Sequence, residues 1–140
     1  MTTSNLQAII ESVIDIVTAD HTNIKLAPDF MPESPTVFPF LAVFSDDGVW
    51  EFGVPGEKRG LHNIVVEIHI SRKDLPIDLE QVMSFSDSIP NSIMSDPTLG
   101  GTCSTFTELS YSIVPMNWGN VQTLGFRFII RNVKHQSTIT

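Results

Sequence analysis

A chain of 140 residues, 41% hydrophobic and 17% charged, has the material for one packed core, and this excludes global disorder. Sixteen Asp and Glu against eight Lys and Arg leave a formal charge of -8, so the chain lacks the basic surface that tight binding to DNA, RNA or anionic lipid requires. The single cysteine, Cys103, excludes an internal disulfide, and no apolar run approaches the roughly 20 residues that span a bilayer.

The opening Met1-Thr2-Thr3-Ser4-Asn5 has neither the basic start nor the apolar run of a secretory leader, so a soluble, unprocessed chain is expected. Leu6, Ile9, Ile10, Val13, Ile14 and Val17 then recur at helical spacing and predict an amphipathic helix from about Ser4 to Ala19. Ser4 is its cap, and Gln7 three residues later fits a capping box. Pro28, Pro32 and Pro35 interrupt any ladder in the next segment, which reads as a surface connection with at most a short strand near Asn23 to Leu26. Val37 to Phe44 is apolar on both alternating faces and predicts a strand covered on both sides.

Asp46-Asp47-Gly48 opens a segment whose Gly53, Pro55, Gly56 and Gly60 predict a long loop at 46–62. Val49, Trp50, Phe52 and Val54 place apolar groups in it. Two readings stand: these side chains become ordered against a partner, or they cap their own domain's core as part of a long hairpin. Asn63 to Ser71 follows as the clearest strand, with Ile64, Val66, Ile68 and Ile70 on one face and Val65, Glu67, His69 and Ser71 on the other.

A second helix is predicted from about Ile77 to Met94, capped by Asp78 with Gln81 three residues on, and Pro90 predicts a kink or two helical pieces. Leu99 anchors its end and Gly100-Gly101 turn the chain. Thr105 to Val114 and Val121 to Val133 alternate as an antiparallel pair joined through Pro115 to Asn120, and Lys134 to Thr140 reads as a frayed tail. The order predicts one α+β domain over residues 1–140, a mainly antiparallel four- to five-stranded sheet with two helices packed on one face.

Chemistry-bearing residues do not converge in the sequence. His21, His62, His69 and His135 fall in separate segments without metal-ligand spacing, and Asp15, Asp20, Asp29 and Glu33 near His21 are a scatter of acids. Gly100-Gly101-Thr102 lacks the lysine of a phosphate loop, and Cys103 has no evident base. The expectation is no enzyme, with no catalytic residue, cofactor or metal.

The helix ending in Ser95-Asp96-Pro97-Thr98-Leu99-Gly100-Gly101, with the Ile89-Pro90 stretch before it and a strand pair after it, resembles the tail terminator and minor tail (neck) proteins of tailed bacteriophages. An N-terminal amphipathic helix, the Phe38-Pro39-Phe40 strand start, a long loop and the Ile64 to Ile70 strand occur in the same order. The resemblance implies a structural subunit of the virion tail, assembled in the host cytoplasm. It implies a hexameric ring that ends the tail tube, with the tail-tube protein and head-tail connector proteins as partners. DNA would pass its lumen without specific binding, which the net charge fits. The interface expected from the loop comprises Asp46, Asp47, Trp50, Glu51, Phe52, Glu57, Lys58 and Arg59, with Trp118 added. Rival expectations are another neck, tail-completion or tail-tube subunit, and a small cytosolic enzyme or ligand-binding domain whose pocket Glu67, His69 or Cys103 would line.

Overall fold

The computed structural model describes residues 4–29, 37–71, 75–118 and 121–138. Helix α1 (Asn5–Asp20) starts at Ser4, whose extended backbone lets its hydroxyl accept from the Gln7 N–H at 3.1 Å. The Gln7 side chain does not close a capping box; it donates to the Asp29 carbonyl and ties the following segment to the helix. Ile9, Ile10, Val13, Ile14 and Val17 form the buried stripe.

Four strands, β1 (Phe40–Phe52), β2 (Glu57–Ser71), β3 (Glu108–Trp118) and β4 (Val121–Thr138), make one antiparallel sheet in the order β1-β2-β4-β3. Period-2 alternation gives the sheet its helix-facing side: Leu41, Val43, Ile64, Val66, Ile68, Ile70, Leu124, Phe126, Phe128 and Ile130 all belong to the core. Each such side chain, fully buried, contributes about 1.5 to 3 kcal/mol before chain entropy is set against it. Against this face pack α1, α2 (Leu75–Met83) and α3 (Phe85–Met94), the last two being the second helix in two pieces. The α+β class, the sheet and the one-sided helices are as the sequence predicts.

The break between α2 and α3 falls at Ser84, not at Pro90, which sits inside α3. The Ser84 hydroxyl donates to the Gln81 carbonyl at 2.6 Å, a local bond that competes with the helical ladder. Beyond α3, the Asp96 carboxylate accepts from the Thr98 hydroxyl and the Gly100 N–H, and the chain turns through positive φ at Leu99, Gly100 and Gly101. The Ser12 hydroxyl of α1 donates to the Leu99 carbonyl at 2.6 Å and pins this turn to the first helix.

Three expectations need correction. The segment 46–62 is not a loop: β1 runs through it to Phe52 and β2 returns from Glu57, with Gly53 to Gly56 alone forming the turn. Its glycines misled because Gly48 and Gly60 lie inside strands, where glycine marks a close approach rather than a break. The tail is not frayed from Lys134; β4 stays paired to β2 as far as Thr138 opposite Glu57, and the last two residues lie outside the described set. The segment near Asn23 to Leu26, expected to hold at most a short strand, makes one parallel bridge from Leu26 to Phe40, in keeping with that reading. The turn expected at Pro115 to Asn120 shrinks as well, since β3 pairs through Trp118, opposite Val121.

Candidate interaction surface

The sheet divides into a body under the helices and an arm beyond them. Register shifts between Ser45 and Asp47 in β1 and between His62 and Ile64 in β2 mark the boundary. A chain of hydrogen bonds crosses the sheet there: Asn63 Nδ2 donates to Asp47 Oδ1 at 2.6 Å, the Asn132 N–H to Asn63 Oδ1 at 3.2 Å, and Asn132 Nδ2 to Thr107 Oγ1 at 2.9 Å. Asn132 adopts φ 57, a left-handed conformation that asparagine tolerates better than most residues. Past this seam the arm consists of the ends of β1, β2 and β4, and its β1 to β2 hairpin contributes nothing to the main core.

Cross-strand pairing of Phe52 with Lys58, Trp50 with Gly60 and Gly48 with His62 puts these residues on one face of the arm, and Gly60 pairs with His135 of β4. His62 and His135 are each only 4% exposed; their rings stack at 4.9 Å and their Nε2 atoms share a hydrogen bond of 2.9 Å. Trp50 meets both rings edge-on, at 5.0 and 5.2 Å. A Cβ on Gly60 would lie 2.5 Å from His62 Nε2 and 2.6 Å from His135 Nε2, and one on Gly48 would lie 2.5 Å from His62 Nδ1. The two glycines are therefore the space the imidazoles occupy. The Lys58 ammonium lies 4.5 Å from the centre of the Trp50 ring, a cation–π contact of about 0.5 to 1 kcal/mol at an exposed site.

Burial, and then the neighbouring His135, hold the His62 imidazole below its ordinary range; burial, and then the Lys58 ammonium, do the same for His135. Both native values lie below those of the unfolded chain. The neutral pair therefore favours the native arm fully above about pH 6.5, and this contribution is lost as pH falls below that through the lower native values. In a Trp118→Phe variant, Trp50 emission is expected to change on acidification with a midpoint below about 6.5. A flat profile from about pH 7.5 to 4.5 would show that the arm does not depend on this pair.

The outer surface of the arm is apolar. Phe52 is 94% exposed and Trp50 51%, with Val49 and Val54 also exposed. Of the residues expected at an interface, Trp50, Phe52 and Lys58 are brought together on one face, while Glu51 pairs with Arg59 on the other. Glu57 accepts from the Gln136 side chain, and the Arg59 Nε is buried without a hydrogen-bond partner among the described residues. Asp46 is the extra, exposed residue at the bulge and Asp47 is engaged by Asn63. Trp118 is not part of the group: its backbone pairs with Val121, the start of β4, whereas the arm lies at the end of β4.

Two further features escaped the sequence. A buried polar chain crosses the sheet face opposite the helices: Thr123 Oγ1 lies 2.6 Å from His69 Nδ1, His69 Nε2 lies 2.9 Å from Glu67 Oε1, and Arg127 Nε donates to Glu67 Oε2 at 2.6 Å. Its order resembles a hydroxyl, base and acid relay, yet His69 and Thr123 have no exposed surface, so no substrate atom reaches them. The chain instead joins β2 to β4. Cys103 is nearly buried, and its thiol is pushed up to about 11 by burial and the Asp96 carboxylate, so it keeps its proton near neutrality.

The second missed feature is a groove of about 340 Å³ lined by Met83, Ser86, Asp87, Tyr111, Ile113 and Phe126. It opens because the helices leave the β3 edge uncovered, so Tyr111 is 71% exposed although it shares a face with Phe128. Long-range packing of two helices decides this, and no local pattern announces it. Among the described residues no group of three His, Cys, Asp or Glu is set to hold a metal, and no helix is long and apolar enough to cross a membrane. A scan of protein-family models and a search of curated proteins both match nothing for this chain.

Proposed function

We propose that this chain is a structural subunit of a phage tail, a terminator that assembles as a ring, hexameric by its family resemblance, at the end of the tail tube. The observation that carries this reading is the arm: a three-stranded extension, held at a hydrogen-bonded seam and tipped by exposed Trp50, Phe52 and Val54. An isolated protein gains nothing from placing a nearly fully exposed Phe at a hairpin end, whereas aromatic anchors on a rigid scaffold are what partner surfaces use. The -8 charge adds support, since a ring around passing DNA must not grip it.

Electron microscopy of the purified protein mixed with tail tubes tests the reading. Single rings on tube ends are expected. Long cylinders of the protein alone would identify a tube subunit instead, and absence of any contact with tubes would overturn the proposal.

Phe52→Asp separates folding from assembly. Because Phe52 is almost wholly in solvent, the thermal unfolding midpoint is expected to stay within the shift of about 0.5 kcal/mol typical of surface changes, while tube capping is lost. Normal capping by this variant would remove the arm from the interface.

A further inference from the structure

We propose that the arm of one copy docks into the groove between the α2–α3 pair and β3 of the next copy. The strand order places β1 and β3 at opposite edges of the sheet, so the two apolar surfaces lie on different sides of the molecule. Two different patches that meet give a head-to-tail contact, which closes into a ring or extends into a filament according to the angle between copies.

Charge selects a second copy as the occupant. On the Trp50 and Phe52 face of the hairpin, Lys58 is the one charged residue, held over the Trp50 ring. The helical wall of the groove is its opposite: Leu75–Met83 and Phe85–Met94 expose Glu80 and Asp87 and contain no Lys, Arg or His. Asp87 lines the groove itself, beside the apolar floor of Phe126 and the exposed Met83, Tyr111 and Ile113. An aromatic side chain entering such a slot removes about 150 to 250 Å² from water, and a lysine beside it meets the carboxylate at the rim.

The docking rests on the ring-forming reading in that both require copies to meet, and its test separates the two. In a Gly53→Cys plus Ser86→Cys variant, which keeps Phe52 and Tyr111, oxidation of the concentrated protein is expected to link position 53 of one copy to position 86 of another, giving a ladder beyond dimer; Cys103, nearly buried, stays reduced. Gly53→Cys alone gives no ladder. Lys58→Glu is expected to weaken self-association about 10-fold, a change of about 1.4 kcal/mol, and Asp87→Lys in the same chain to restore it. A 53-to-86 ladder in protein that ignores tail tubes would keep the docking and sink the terminator reading. Rings on tube ends without the 53-to-86 bond, or with a 53-to-53 bond in its place, would sink the docking alone, and protein that neither links nor caps would sink both.

Discussion

Replacing Phe126 or Val66 with Asp is expected to abolish soluble folding. Phe126 is 2% exposed and Val66 fully buried, both on the side of the sheet that α1, α2 and α3 cover. Phe126 stacks on Phe128 at 5.4 Å and meets Tyr111 at 6.1 Å, so its loss opens the floor of the core as well as one wall of the groove. Truncating a buried Phe costs about 3 to 5 kcal/mol, and placing an unpaired carboxylate in the gap adds several more. Their sum is comparable to the whole stability of a domain of this size, about 5 to 15 kcal/mol. Expression in the soluble fraction and a thermal melt check it. An unchanged melting temperature would mean that the helix-facing side has been misassigned. The contrast with Phe52→Asp is the point: two aromatic residues in the same sheet, with opposite burial, are expected to have opposite effects on folding.

The second large effect belongs to Glu67, 2% exposed, whose carboxylate bridges His69 and Arg127. Glu67→Ala removes the carboxylate that joins His69 to Arg127, and removing one member of such a network costs about 3 to 5 kcal/mol. Burial raises the Glu67 pKa, but the hydrogen bonds and charges of His69 and Arg127 outweigh it and hold the group below the ordinary carboxylate range. A native pKa below the unfolded one means the contribution is complete above the unfolded value, near 4.3, and is lost as pH falls through the lower native value. The difference in urea midpoint between the native protein and Glu67→Ala is therefore expected to be large at about pH 7 and to shrink below about pH 4. A difference that stays constant across this range would show that the carboxylate's charge plays no part.

The arm and the buried chain differ in what they ask of the molecule. Glu67, His69 and Thr123 are sealed in the body, where a satisfied polar network fixes one register of β2 against β4. His62 and His135 also join β2 to β4, but in the arm, where the edge-on Trp50 and the backbones of Gly48 and Gly60 pack against them and His135 borders a hollow shared with Gly101, Thr102, Cys103 and Ser104. Acid is thus expected to act first on the arm, at its histidine pair, and only at lower pH on the body, at Glu67.

The sequence by itself determined the class of fold and the core. Helical spacing in Ile9, Ile10, Val13, Ile14 and Val17 and strict alternation in Ile64, Val66, Ile68 and Ile70 are local patterns, and each states which side must leave water. The tertiary structure alone decided that residues 46–62 form an arm, that Gly48 and Gly60 make room for imidazoles, and that Tyr111 faces an open groove. Each of these turns on side chains far apart in the chain, His62 and His135 being 73 residues apart and Glu67 and Arg127 60 apart. Glu67 meets Arg127 because the β2–β4 register sets them opposite each other, and His62 meets His135 beyond the bulges at the seam; a register that depends on strands far apart in the chain leaves no periodic trace in either one.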